Sequence, residues 1–181
     1  LLPNFNKFKP MKKRFIAAAV ATAFISANAL AVEPGYRGFF DYGYMVGTGD
    51  FESSTLNEIT TSHGYQICPQ LFVGAGAGVH LYKFNGDDGI RYNLPVFGNV
   101  RYDILETKFT PFIDVKGGYS VAGEFTGAYV SPSVGCRMAV SSRVGINLSA
   151  GYTYMKTGYE YVKSGKDLNM TGINIRLGID F

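Results

Sequence analysis

Apolar side chains recur at every second position in eight successive segments between Tyr36 and Phe181, and this alternation limits the possible folds more than any other feature. The last segment shows it most clearly. Thr171, Ile173, Ile175, Leu177, Ile179 and Phe181 alternate there with Gly172, Asn174, Arg176, Gly178 and Asp180. A repeat of two belongs to a strand with two unlike faces, whereas a helix repeats every 3.6 residues. The pattern predicts strands over about 36–46, 60–68, 71–84, 91–103, 110–121, 128–140, 143–155 and 168–181. With 23 Gly and 27 Tyr plus Phe in 181 residues, the composition suits many short strands.

The connections between these segments alternate in length. "GTGDFESSTLNEI", "NGDDGI", "AGEFTG" and "KTGYEYVKSGKD" follow the odd segments, and "PQ", "ILETKF" and "SS" follow the even ones. Antiparallel succession puts the two sets at opposite ends, one with longer loops and one with tighter turns. Pro95 and Pro132 fall inside segments and lack a ladder donor, which predicts bulges or gaps there.

The contents of the two faces decide which one looks outward. The apolar phase carries essentially no ionised residue, as hydrocarbon requires, since Lys or Arg facing mid-bilayer lipid costs about 2–4 kcal/mol. The other phase mixes Gly, Ser, Asn and the aromatics Phe39, Phe72, Phe97 and Phe112 with charges of both signs. Arg37, Arg101, Lys116, Arg137 and Arg176 stand there against Asp41, Asp103, Asp114 and Asp180, a near balance expected of groups paired in a confined interior. Tyr92 and Tyr102 sit ten residues apart on the apolar phase, roughly 33 Å along a strand and about 25 Å when tilted. That is the height of an apolar band between aromatic girdles, and Tyr152 and Tyr154 also fall at interface level. The predicted fold is all-β: an eight-stranded antiparallel up-and-down transmembrane β-barrel.

The start of the chain is of another kind. Met11–Ala31, "MKKRFIAAAVATAFISANALA", has a basic start, an apolar stretch and small residues at A-x-A spacing. It reads as a secretory signal peptide over 11–31, cleaved after Ala31. Residues 1–10 are expected to be an upstream extension outside the product, and 32–181 the barrel. Removing the five Lys/Arg before residue 32 from the chain's 17 leaves 12 against 14 Asp/Glu, a net of −2. The basicity is that of the leader, so no nucleic-acid partner is expected.

A leader, eight alternating strands and a terminal "GINIRLGIDF" together resemble the small OmpA/OmpX-like outer-membrane β-barrel proteins of Gram-negative bacteria, a porin-like group. The resemblance covers residues 32–181. It implies a place in the cell outer membrane, contacts with membrane lipids and lipopolysaccharide, and insertion by the barrel-assembly machinery. That machinery reads a C-terminal aromatic preceded by alternating apolar residues, here Ile173, Ile175, Leu177, Ile179 and Phe181.

An eight-stranded bore is just wide enough for its own side chains, so a plugged interior is expected, in a monomer whose function lies in its outer loops. A small porin-like channel is the alternative, and a lipid A-modifying enzyme a further one. Asp50, Glu52, Asp87, Asp88 and Glu124 would make the loop rim acidic, and the sequence names no extracellular ligand for it. No catalytic, cofactor or metal residue is assigned. His63 falls on the lipid phase and His80 on the inner phase. A tight turn at Pro69–Gln70 would place them opposite Gly76 and Ile59. Cys68 and Cys136 fall on strands across the barrel from each other, too far apart for a disulfide, and two free thiols are expected.

Overall fold

The computed structural model describes residues 35–49, 52, 54–83, 89–105, 107–123, 126–141, 144–160 and 167–181, with side chains except at 157–160, 167 and 168. The expected leader, and Asp50, Asp87, Asp88 and Glu124 of the loop rim, lie outside the described residues.

Eight strands form one closed antiparallel barrel in chain order: β1 (Tyr36–Thr48), β2 (Thr55–Cys68), β3 (Leu71–Lys83), β4 (Ile90–Asp103), β5 (Phe109–Gly123), β6 (Gly127–Ala139), β7 (Gly145–Glu160) and β8 (Asp167–Asp180). β1 and β8 close the cylinder, pairing from Phe39 with Asp180 up to Thr48 with Thr171. Gly38 and Phe181 extend this seam with reciprocal backbone hydrogen bonds of 2.8 and 3.0 Å. The alternation runs to the final aromatic because that residue is itself laddered. Every strand thus has two neighbours, and no edge is left to expose backbone donors to lipid.

The faces divide as the polarity of the sequence requires. On β8, Ile175 and Leu177 are 60% and 56% exposed on the outer wall, while Arg176 and Asp180 are 2% and 1% exposed inside. Tyr92, Tyr102, Tyr152 and Tyr154 all point outward. Both prolines disturb the ladder. At Pro95 the β4–β5 register shifts and the pairing with β3 lapses between Val96 and Asn93. At Pro132 the β6–β7 pairing lapses between Val130 and Ser133 without a shift.

Two expectations need correction. β2 starts at Thr55, not near residue 60, and β7 runs on to Glu160. The connections at the loop end therefore shrink to 49–54, 84–89, 124–126 and 161–166, against 69–70, 104–108 and 140–144 at the turn end. The start of β2 is hard to read because Leu56 and Glu58 point inward while Thr55 and Asn57 point outward, reversing the usual polarity of the two faces. The β2–β3 register is also one residue off, through a bulge between Gln66 and Cys68. His63 lies opposite Ala75 rather than Gly76, and His80 opposite Glu58 rather than Ile59.

Backbone crowding differs sharply between two adjacent glycines of β5. A Cβ added at Gly118 would lie 2.0 Å from the Val96 carbonyl oxygen, whereas at Gly117 it would meet nothing within 4 Å. Gly118→Val is expected to abolish the compact form seen as heat-modifiable migration on detergent gels, at a cost of about 3 kcal/mol or more. Gly117→Val should leave that migration intact.

Candidate functional site

The barrel interior is the part of the molecule where chemistry-bearing side chains converge, and hydrogen bonds sort it into three layers. The turn-end layer is ionic and aromatic. Arg37 donates to Asp103 at 2.7 Å and to Gln66 at 3.0 Å, and reaches Asp180 at 3.3 Å. Arg137 and Asn147 both donate to Asp180 at 2.9 Å. Arg101 donates to Asp103 at 2.9 Å and to Asn147 at 2.8 Å. The guanidinium of Arg101 also lies 3.5 Å from the centre of the Phe112 ring, and that of Arg37 lies 4.8 Å from the centre of Phe39. A planar cation over a ring face fills space and keeps its edge free for carboxylates.

The waist is polar and built around small residues. Lys116 donates to Asp41 at 2.6 Å, Asn99 to Ser62 at 3.1 Å and Asn174 to Thr153 at 2.7 Å. Arg176 is ion-paired with Glu58 and hydrogen-bonded to Ser131. Glycines make the room. A Cβ at Gly43 would fall 2.3 Å from a Glu58 carboxylate oxygen, and one at Gly178 would fall 2.0 Å from Asp41. Gly43 and Gly178 are therefore the space into which the Glu58 and Asp41 carboxylates fold. Asp114 sits cross-strand from Arg101 and Ser133.

The loop-end layer is apolar: Met45, Leu56, Tyr82, Phe97, Tyr129, Met155 and Met170 pack into one buried cluster. Its polar atoms are few. Tyr82 donates to the Met155 sulfur at 3.4 Å and accepts from Asn93 at 3.3 Å. Unbranched methionines suit such a layer, since they fill irregular gaps between rings.

The structure thus brings the nine expected interior charges into contact or close register, and adds a tenth. Glu58, which falls within the expected first loop, joins them as a fifth carboxylate against the five cations named. Its recognisable trace in the sequence is phase: counted back from Ser62 and Thr60 in steps of two, Glu58 falls on the inner face. His80 is wholly buried, 3.4 Å from Glu58 and edge-on to Tyr129.

The lipid-facing wall of β2 carries a hydrogen-bonded file of its own. Tyr36 hydroxyl and His63 Nδ1 are 2.6 Å apart, His63 Nε2 and Thr61 Oγ1 are 3.0 Å apart, and Thr61 donates to the Phe39 carbonyl at 3.0 Å. A single assignment satisfies all three contacts: Tyr36 donates to Nδ1 and Nε2–H donates to Thr61. An imidazole with both ring nitrogens engaged faces hydrocarbon at lower cost than one with a nitrogen left unpaired. Cys68 and Cys136 are both free thiols on the exposed surface. Among the described residues no group of three or more His, Cys, Asp or Glu is placed to hold a metal ion.

No family model matches the sequence. No curated protein matches it either. Solved structures do match. The chain is similar to Neisserial surface protein A, with a TM-score of 0.61 and 14% identity over 82% of this chain and 98% of that one. It is also similar to the outer membrane protein OprG from Pseudomonas aeruginosa, with a TM-score of 0.53 and 10% identity over 82% of this chain and 95% of that one. The likeness is one of fold, the eight-stranded membrane barrel.

Breaking a buried ion pair leaves one charge uncompensated, at a cost of about 3–5 kcal/mol, whereas removing both partners costs far less. Arg176→Met should therefore lower the urea midpoint of the gel shift in lipid vesicles strongly. Glu58→Met combined with Arg176→Met should recover most of that loss.

Proposed function

We propose that this protein is a sealed outer-membrane barrel that acts through the surface it presents at its loop end, and is neither a diffusion pore nor an enzyme. One observation carries the reading. Side chains pack across the bore at two heights, in the stacked Arg–Phe layer near the turns and the Met–Leu–Tyr–Phe layer near the loops, and this supports a sealed interior. The waist between them leaves a cavity with about 10 Å³ of room for a water's centre. An ion crossing the bilayer would have to displace both layers.

Several features support the outer-membrane setting: an outer wall made largely of exposed apolar side chains, the outward tyrosines and the fold shared with the outer membrane protein OprG. In that setting, lipid and lipopolysaccharide cover the wall. Ile173, Ile175, Leu177 and Ile179 on β8, together with Phe181, would serve as the assembly signal, and all of them lie along the β1–β8 seam. The non-enzymatic reading rests on access. His80 is enclosed in the bore, and both ring nitrogens of His63 are already engaged. With loop-end connections as short as 49–54 and 124–126, the surface on offer is the barrel rim rather than long extensions.

Planar-bilayer recording of the purified protein tests the seal, and no steady conductance steps are expected. Reproducible ion-conducting steps would replace this reading with the channel.

A further inference from the structure

Three of the waist groups that keep hydrogen-bonding capacity no described residue uses line one cavity. Asp114 is only 6% exposed, yet its carboxylate makes no hydrogen bond to any described residue, although Lys116, Arg101 and Arg176 lie close enough to feel its charge. The side-chain carbonyl oxygen of Asn99 and the Nη1 nitrogen of Arg176 are buried without a partner among the described residues. All three residues line the same waist cavity. A buried polar group left unsatisfied is costly, and more so when charged. The cavity leaves about 10 Å³ for the centre of a water-sized molecule, so a water has room among these groups.

We infer that this cavity binds one small neutral hydrogen-bonding molecule, a water, held by Asp114, Asn99 and Arg176. Charge decides against an ion. Among the described residues the charges of the turn-end layer and the waist balance, five cations against five carboxylates, so an ion bound there would add an uncompensated charge. An anion would also meet Asp41 and Asp114 directly, and a cation would meet Lys116 and Arg176. A water fits the donor count. It donates to the Asp114 carboxylate and to the Asn99 carbonyl, and it accepts from Arg176 Nη1. Three bonds then satisfy three groups. The molecule ties Asp114 to the Glu58–Arg176 pair and makes the ion network continuous across the waist. This inference rests on the sealed reading of the bore.

A crystal structure grown with sodium bromide tests it. Ordered oxygen density within hydrogen-bonding reach of Asp114, Asn99 and Arg176 is expected. An anomalous bromide peak at that point, or no density there, would overturn the inference. In detergent solution, the Asn99 side-chain amide protons of the wild-type protein should show a nuclear Overhauser contact to a long-lived water. Asp114→Asn should keep that contact and Asp114→Leu should lose it; persistence in Asp114→Leu counts against the site. If Asp114→Leu does not fold, the wild-type density alone decides. Conductance steps from a protein that still holds the water would sink the sealing and leave the site standing.

Discussion

Hydrocarbon offers no hydrogen bonds, and every other feature of the molecule follows from that. The backbone must pair with itself, so the sheet closes, and even Phe181 is laddered to Gly38. Polar side chains must turn away from the wall, so ten charges share a bore about as wide as their own side chains. Confinement then forces pairing, because an unmatched ion in such a space would cost several kcal/mol. The ion network is in this sense a consequence of the lipid outside as much as a device inside.

The interior solves a packing problem with two chemistries. Near the turns, Arg37 and Arg101 act as both ions and flat fillers, stacked on Phe39 and Phe112. Near the loops the same volume is filled by Met45, Met155 and Met170 between Tyr82 and Tyr129. Between these layers, serines, threonines and glycines leave room for Glu58, Asp41 and their cationic partners. The exception on the outer wall, the file from Tyr36 through His63 to Thr61, follows the same rule. Its polar side-chain atoms are paired before lipid meets them.

What could be read from the residues alone was considerable where polarity and period agreed. In "TGINIRLGIDF" both pointed to one strand with a lipid face and an inner face, and β8 has that form. At "TLNEITTS" they disagreed. Outward Thr55, Asn57 and Thr61 are polar and inward Leu56 is apolar, so the first residues of β2 carry no strand-like alternation and nothing local marks Glu58 as inward. The prolines announced themselves, since a missing donor leaves a mark on the ladder wherever it falls. The bulge beside Cys68 did not, because no residue there is barred from regular pairing.

The sequence by itself determined the strand count, the up-and-down order and which face meets lipid, because these follow from period two and from the absence of charge on one phase. It also determined nine of the charges that turn inward, but not Glu58. Tertiary structure alone decided who pairs with whom. Lys116 meets Asp41 and Arg37 meets Asp103 across the bore rather than along a strand, and Glu58 lies opposite His80 only after a one-residue slip. Those choices depend on barrel shear and bulge position, which fix the height of each side chain in the lumen. Local pattern carries no information about height.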